Sequence, residues 1–421
     1  MDLFEITALL LTLAAVFSYV NHRFIRLPTT IGLMLISLVM SLALIAGHHL
    51  GFDMESPAER IIAQIDFNQT LMEGMLSFLL FAGALHVNLN DLARQKWAIT
   101  TFATLGVVTS TFLVGGAMFY LLRLLGLEIG FIYCLIFGAL ISPTDPIAVL
   151  GLLKQAKVPK TLETKICGES LFNDGIGVVV FLVILEMLTG HHEFETGHVL
   201  GLLFQEAAGG IALGMLLGWV AYQMLRSIDS YQVEVLLTLA LVMGGYSLAS
   251  ALHTSGPLAI VAAGLLIGNH GRRLAMSDKT REHLDTFWEL MDEILNAVLF
   301  VLIGLEILVL AFTGSAVIAG LLAIPVVLLA RFVSVGLPVA ALRLRRSFSP
   351  HVVKVMTWGG LRGGISVALA LSLPTGPERN LILTITYVVV VFSIVVQGLT
   401  LPLLLRRLMK EPQPEEASSS P

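Results

Sequence analysis

Stretches of about 20 apolar residues recur along this chain, and each is long enough to cross the hydrocarbon core of a bilayer as a helix. Only 13% of the 421 residues are charged, compared with about 25% in soluble proteins. Because backbone polar groups inside a bilayer must be satisfied within the protein, such segments form helices. The sequence therefore predicts an all-α polytopic membrane protein. Thirteen transmembrane spans are expected, at approximately 3–20, 28–47, 67–88, 98–122, 129–153, 168–189, 199–225, 233–253, 257–271, 284–311, 315–342, 355–374 and 381–405.

Lysine and arginine residues are distributed unevenly among the loops that these spans create. Loops after odd-numbered spans, together with the segment after the last span, contain 20 of them, and loops after even-numbered spans contain 3. Since basic residues accumulate on the cytoplasmic side, the N-terminus is expected outside the cell and the C-terminus in the cytoplasm. We expect a multi-pass protein of the cell membrane with a polar, disordered cytoplasmic tail at 411–421.

A short internal repeat suggests how the spans are arranged. Leu71-Met72-Glu73 with Leu80-Phe81 matches Leu290-Met291-Asp292 with Leu299-Phe300, seven spans later. An odd separation gives the two copies opposite orientations, and inverted repeats are typical of secondary transporters. The predicted division of the membrane domain 1–410 is a first repeat at about 1–190, a linking span at about 199–225 and a second repeat at about 230–408.

The sixth span contains the most polar segment of the membrane region, Gly168 to Gly175. Acids and amides are rare within spans and usually functional, since an ionised Asp at a span centre costs roughly 2.5–3.5 kcal/mol. Ser170 and Asp174 are four residues apart and share one helical face, as do Glu169 and Asn173. Because Glu169 and Asp174 point in different directions, the two acids can have different roles.

The fifth span is interrupted by Ser142-Pro143-Thr144-Asp145-Pro146. Proline removes a backbone donor and favours extended geometry in the residue before it. One interpretation is an unwound segment whose carbonyls and Thr144 hydroxyl coordinate a cation, with Asp145 balancing a helix N-terminus. The alternative is a plain proline kink.

The twelfth span has a comparable irregularity, four glycines around Arg362 in the segment 358–364. A buried arginine requires a counter-charge, and Glu169 is the acid that remains once Asp174 is assigned to the ion site. The sequence therefore predicts a Glu169–Arg362 ion pair; the alternative is that the Arg362 side chain extends to the membrane interface. It assigns no role to Arg331, a second cation within a span, or to Glu234 at the beginning of the eighth span.

Three motifs in order, Ser-Pro-Thr-Asp-Pro, Gly-Glu-Ser-Leu-Phe-Asn-Asp-Gly and Gly-Gly-Leu-Arg-Gly-Gly-Ile-Ser, resemble those of the cation/proton antiporter-1 family. That family includes the prokaryotic NhaP-type antiporters and the animal sodium/hydrogen exchangers. The resemblance implies two inverted six-span repeats joined by the seventh span, with broken crossing helices in spans 5 and 12. It also implies a homodimer.

Site residues follow from the same resemblance. Asp174 resembles the carboxylate that binds both the cation and the proton, and Ser170, Thr144 and Asp145 resemble its neighbours in the cation site. Of these, Asp174, Ser170 and Thr144 are the expected metal-ion ligands. The resemblance further implies that Asn173 steadies the crossing helices, and that Glu169 and Arg362 form the family's buried ion pair.

One departure from the family pattern concerns ion selectivity. Many members have an acid in the third span, where this chain reads Leu80-Phe81-Ala82-Gly83, so Ala82 supplies no carboxylate. The expected function is exchange of Na⁺ or Li⁺ for H⁺ by alternating access, electroneutral, with K⁺/H⁺ exchange as the alternative. We expect a transporter rather than an enzyme, with the lipid bilayer as its surroundings, no cofactor and no nucleic-acid partner.

Overall fold

The computed structural model describes residues 3–49, 70–145, 149, 153, 158–190, 196–310, 312–344, 348 and 351–410. Every regular element in these ranges is helical. The predicted all-α class is therefore confirmed. Pro146 and the tail 411–421 lie outside the described residues, so the predictions made for them are not tested.

Sixteen α-helices of seven residues or more are present in the described ranges. In chain order they are α1 (Leu3–Val20), α2 (Thr29–His49), α3 (Leu76–Leu85), α4 (Leu89–Thr101), α5 (Val107–Leu124), α6 (Phe131–Leu140), α7 (Lys160–Thr189), α8 (Thr196–Arg226), α9 (Tyr231–Ala251), α10 (Gly256–Leu266), α11 (Asp278–Leu305), α12 (Gly314–Leu342), α13 (Val352–Trp358), α14 (Gly364–Leu371), α15 (Pro377–Phe392) and α16 (Gly398–Lys410). π-Helical turns, which often mark functional regions, extend or join several of them. These turns are Asn21–Ile25, Thr70–Met75, Phe102–Gly106, Ile267–Gly271 and Ser393–Gln397.

Side-chain caps determine where several helices begin. The Ser255 hydroxyl accepts a hydrogen bond from the Leu258 backbone N–H at the start of α10. Ser277 and Thr313 cap α11 and α12 in the same way. Because the first N–H groups of a helix have no partner within it, each cap stabilises its helix, typically by about 1 kcal/mol.

Eight helical stretches in the described part of the chain are long and apolar enough to cross a membrane. They are Phe4–Ile25, Thr29–Gly47, Leu89–Leu124, Lys160–Thr189, Gly201–Arg226, Tyr231–Ala251, Gly314–Leu342 and Pro377–Leu408. Each overlaps one predicted span: the first, second, fourth, sixth, seventh, eighth, eleventh or thirteenth. This agreement supports a multi-pass membrane protein.

The other five predicted spans coincide with helices that are short, interrupted or charged at one end. Thr70–Leu85, Phe131–Leu140 and Gly256–Gly271 are apolar but contain fewer than 18 residues. Helix α11 has 28 residues, but its first half is rich in charged side chains. The twelfth span is divided into α13 and α14. The count of thirteen spans stays a prediction.

The helices bury apolar side chains in continuous clusters, one of which joins α3, α9, α10 and α11. At its centre the rings of Phe81 and Trp288 lie 4.7 Å apart, and the Trp288 indole N–H donates to the Thr238 hydroxyl at 3.1 Å. Glu234, one turn from Thr238 on α9, is fully buried rather than exposed at the start of its span. This packing fixes α11, which contributes to the candidate site, against α3 and α9.

Candidate cation-binding site

The fifth predicted span stops being helical after Leu140, where α6 ends. Residues 141–145 continue without regular structure, and Ser142, Pro143 and Thr144 in this segment are buried. Pro143 has no backbone N–H and disfavours a helical conformation in Ser142. Within the described residues, the motif interrupts the helix as predicted.

The twelfth span is interrupted in the same manner between α13 and α14, over residues 359–363. The two irregular segments touch, since the backbone N–H of Asp145 donates to the Leu361 carbonyl at 2.8 Å. The N–H of Arg362 donates to the Ser393 hydroxyl at 2.9 Å. Two broken helices therefore meet at this point, and their free backbone groups bind one another or nearby side chains.

Arg362 is buried where the two segments meet, but it is not the ion-pair partner of Glu169. Its guanidinium donates to the backbone carbonyl oxygens of Ser142 and Pro143, at 2.5 and 2.9 Å. Those carbonyls lose their helical donors because α6 ends just before them. Arg362 thus satisfies backbone acceptors that would otherwise be unpaired in a buried place.

Glu169 is paired with Arg331 instead. The two terminal nitrogens of Arg331 on α12 lie 2.5 and 2.9 Å from the two carboxylate oxygens of Glu169 on α7. Both side chains are at least 94% buried, with relative exposures of 6% and 1%. The predicted Glu169–Arg362 pair is therefore wrong. Spacing along the sequence does not show which of two intramembrane arginines lies beside Glu169.

A cluster of neutral side chains connects α7 to the break in the fifth span. The Thr144 hydroxyl lies 3.0 Å from the Ser170 hydroxyl and accepts a hydrogen bond from the Asn173 amide at 2.9 Å. The Asn173 carbonyl oxygen accepts from the Thr144 backbone N–H at 3.3 Å. All three residues are buried. Asn173 thus holds the irregular segment through both its backbone and its side chain.

Asp174 borders a cavity of about 1930 Å³, which is also lined by exposed residues of α1 and α11. Its side chain is only 5% exposed, and its Oδ1 has no hydrogen-bond partner within the described part of the protein. An ionised carboxylate in such surroundings is costly unless a proton or a cation compensates it. Asp174 therefore has the properties of an ion-binding group, and the cavity gives ions a path to it.

Asp145 lines the same cavity and lies near enough to Asp174 for their charges to repel. Its carboxylate packs against the backbone of Gly363. A Cβ atom at position 363 would lie 2.5 Å from the Asp145 Oδ2, which is closer than non-bonded atoms approach. The glycine of the twelfth span therefore makes room for the acid of the fifth span.

Several cavity residues were not singled out from the sequence as site residues. Ala82 borders the cavity, as do Asp292 and Asn296 of α11 and Ser366 of α14. Asp292 attracted notice only as part of the internal repeat. Its spacing of four from Asn296 puts both side chains on one face of the tenth span, a signal that could have identified them.

The fold and the site together define a class: a helical membrane protein in which broken helices meet beside a buried carboxyl reached from a cavity. Secondary transporters of cations are built in this way. The chain belongs to the sodium/hydrogen exchanger family, since residues 9–407 match the family described as "Sodium/hydrogen exchanger, transmembrane".

Individual relatives agree with this assignment over nearly the whole chain. The Na⁺/H⁺ antiporter NhaP of Pseudomonas aeruginosa is 53% identical over 96% of both chains. The Na⁺/H⁺ antiporter NhaH of Halobacillus dabanensis is 36% identical over 92% of this chain and 93% of its own. The structure of the sodium proton antiporter MjNhaP1 from Methanocaldococcus jannaschii superposes with a TM-score of 0.75. It covers 98% of this chain and 100% of its own at 19% identity, and so shows a shared fold.

Proposed function

We propose that this protein is a secondary active transporter that exchanges Na⁺ or Li⁺ for H⁺ by alternating access. The observation that carries the proposal is the Asp174 carboxyl, which is buried and borders the cavity with one oxygen lacking a hydrogen-bond partner among the described residues. One such group either holds H⁺ or contributes an oxygen to a cation, so the two ions compete for it. Relatives named Na⁺/H⁺ antiporters support the choice of ions. None of these comparisons favours the K⁺/H⁺ alternative.

The proposed cation ligands are Asp174, Asp145, Ser170 and Thr144. Small hard cations are bound by oxygen atoms, and these residues supply carboxylate and hydroxyl oxygens. The hydroxyls of Thr144 and Ser170 already lie 3.0 Å apart. Asn173 is proposed to support the site by holding Thr144, and Glu169 with Arg331 to lock α7 to α12.

Exchange is proposed to be electroneutral, one cation for one proton. Glu169 is neutralised by Arg331 and Asn173 carries no charge, which leaves Asp174 as the titrating acid of its helix in this region. Asp145 is proposed to stay ionised, because it balances a helix N-terminus at the break in the fifth span. The occupied site then has the same charge with either ion.

The proposed architecture has thirteen spans in two inverted repeats joined by α8. The two helix breaks support it, because they fall in spans 5 and 12, which are seven apart and therefore opposite in direction. The shared fold with MjNhaP1 is consistent with it. We also propose a homodimer in the cell membrane, with the N-terminus outside and the C-terminus in the cytoplasm.

The test is relaxation of an imposed pH gradient in proteoliposomes that contain the purified protein, with Na⁺, Li⁺, K⁺ and Rb⁺ chloride added in turn. The proposal predicts rapid, saturable relaxation with Na⁺ or Li⁺ and relaxation near that of protein-free liposomes with K⁺ or Rb⁺. Relaxation by K⁺ alone would favour the alternative, and relaxation by none of the ions would reject exchange.

A further inference from the structure

We infer that Asp292 and Asn296 form a second binding station for Na⁺ or Li⁺, on the cavity wall formed by α11, which a cation occupies before it reaches Asp174. This inference rests on the proposed function, because it adds a site to the route that leads to Asp174. Both residues border the cavity that Asp174 borders.

Helix α11 carries two unpaired side-chain oxygen atoms one turn apart. Asp292 and Asn296 are four residues apart on one helical face, and the Asn296 amide nitrogen donates to the Asp292 backbone carbonyl at 2.8 Å. That bond orients the amide and leaves its carbonyl oxygen available. The Asn296 Oδ1 and the Asp292 Oδ1 are both buried without a hydrogen-bond partner in the described ranges. Asn296 is only 4% exposed.

Ser366 supplies a third oxygen from a different helix. Its hydroxyl is buried, has no partner in the part of the chain that the structure describes, and borders the same cavity. Helix α14 packs directly on α11, since a Cβ at Gly364 would lie 2.5 Å from the Leu299 side chain. Leu299 is one turn beyond Asn296, so the beginning of α14, which carries Ser366, packs on the same part of α11.

Unpaired buried polar atoms are rare in proteins, and each requires an explanation. A carboxylate, an amide carbonyl and a hydroxyl around one cavity make an oxygen-only set, which suits a small hard cation. A cation held between Asp292 and Asn296 would give their unpaired oxygens a partner. These unpaired oxygen atoms therefore indicate that the ligand is a small hard cation and that it binds at this wall of the cavity.

Asp292 brings to the cavity a carboxylate that Ala82 in the third span does not supply. Ala82 borders the cavity but has no carboxylate to offer. Asp292 brings an acid to the same cavity from α11, and its charge interacts with that of Asp145 at the crossing. On the proposed path of the cation to Asp174, the additional carboxylate thus comes from Asp292 of the tenth span.

A transport measurement distinguishes direct binding of the cation by Asp292 and Asn296 from a general attraction of cations by negative charges around the cavity. Asp292→Asn and Asn296→Leu should each raise the Na⁺ concentration for half-maximal exchange at least about fivefold, with the maximal rate within about twofold of the unmodified protein. Glu293→Gln is the matched control, because Glu293 is the next residue and borders the cavity but is exposed. It should change the half-maximal concentration less than about twofold.

The difference between the variants and the control should persist in high choline chloride, because salt screens exposed charges much more than buried contacts. If Asp292→Asn and Asn296→Leu both behave like Glu293→Gln, the station is rejected. The second variant keeps the test decisive if the first does not yield folded protein.

Equilibrium binding examines the station without transport. In a scintillation proximity assay with radioactive Na⁺, purified Asp174→Asn should retain weak, saturable binding that is lost in the Asp174→Asn, Asp292→Asn double variant. No saturable binding by Asp174→Asn, or equal binding by both proteins, would overturn the inference. If Asp174→Asn transports normally, the proposed function fails. If Asp174→Asn is inactive but Asp292→Asn resembles its control, the station alone fails.

Discussion

The carboxylate of Glu169 and the guanidinium of Arg331 form two parallel hydrogen bonds, at 2.5 and 2.9 Å, in the buried contact between α7 and α12. Two-point contacts of this kind fix the relative orientation of both side chains. The pair joins the helix that carries Asp174 to a helix that carries none of the proposed ligands. Glu169 is consequently engaged in a contact that joins two helices.

The first prediction is that Glu169 and Arg331 are energetically coupled. Glu169→Leu or Arg331→Met alone should destabilise the protein by roughly 3–5 kcal/mol, because each leaves a buried charge unpaired. The double variant should recover a large part of that loss. The measurement is a double-mutant cycle on thermal unfolding of the purified protein in detergent.

The matched cycle combines Glu169→Leu with Arg362→Met. Arg362 donates to the Ser142 and Pro143 carbonyls and interacts with Glu169 only through charge, without a hydrogen bond. The coupling in this cycle should therefore be much smaller than that between Glu169 and Arg331. Additivity for Glu169 with Arg331, together with coupling for Glu169 with Arg362, would contradict the observed pairing.

The second prediction concerns the contact between Gly363 and Asp145. Gly363→Ala should reduce Na⁺-driven exchange at least about tenfold, because the added methyl group would displace the Asp145 carboxylate. Gly363 has φ −120° and ψ −161°, an extended conformation that alanine also adopts, so the effect is steric. Exchange is measured in proteoliposomes.

Gly116→Ala on α5 is the control, since a Cβ there meets no atom within 4 Å. It should leave exchange unchanged and stabilise the helix slightly. Equal activity of the two variants would show that Asp145 need not occupy its observed position.

The third prediction is that the Thr144 hydroxyl contributes to cation affinity. Thr144→Val keeps the shape of the side chain but removes the oxygen bonded to Ser170 and Asn173. The Na⁺ concentration for half-maximal exchange should rise about tenfold, which corresponds to about 1.4 kcal/mol. Kinetics over a Na⁺ titration measure this shift.

Thr111→Val provides the comparison, because Thr111 is also buried but donates only to the Val107 carbonyl of its own helix. Its half-maximal Na⁺ concentration should stay within about twofold of the unmodified protein. A similar shift in both variants would mean that Thr144 acts through general packing.

Local sequence chemistry was sufficient to predict the helix breaks. Pro143 cannot continue α6, and the glycines around Arg362 favour the interruption between α13 and α14. Likewise, the helical spacing of the segment 168–175 placed its polar side chains where they meet the broken span. These features depend on the conformational preferences of residues that are adjacent in the sequence, so the sequence alone is enough to predict them.

Pairing between distant helices could not be predicted in the same way. Arg331 and Arg362 are both arginines within apolar spans, and their depth and rotation depend on how α12, α13 and α14 pack. The contribution of Asn296 was missed for a related reason. An amide is unremarkable in a sequence until the structure shows that it is buried beside Asp292 and borders the cavity of Asp174.

The fourth prediction is electroneutral exchange. With one titrating acid, each half-cycle moves the same charge, so a membrane potential worth about 2.3 kcal/mol per net charge per 100 mV has nothing to act on. Na⁺/H⁺ exchange should proceed at the same rate, and reverse at the same ion gradients, when K⁺ and valinomycin set the potential to zero or to negative values. A reversal point that moves with voltage would require Asp145, or Asp292, to release a proton as well.

We propose that Asp174 binds the transported cation and the proton in turn. Its most direct test is Na⁺-driven proton flux in proteoliposomes that contain purified Asp174→Asn, compared with the unmodified protein at equal reconstitution. Asparagine keeps the size of the side chain but does not titrate, so the variant should elute as a folded protein and show no flux above protein-free liposomes. Flux at the unmodified rate from Asp174→Asn would contradict the account.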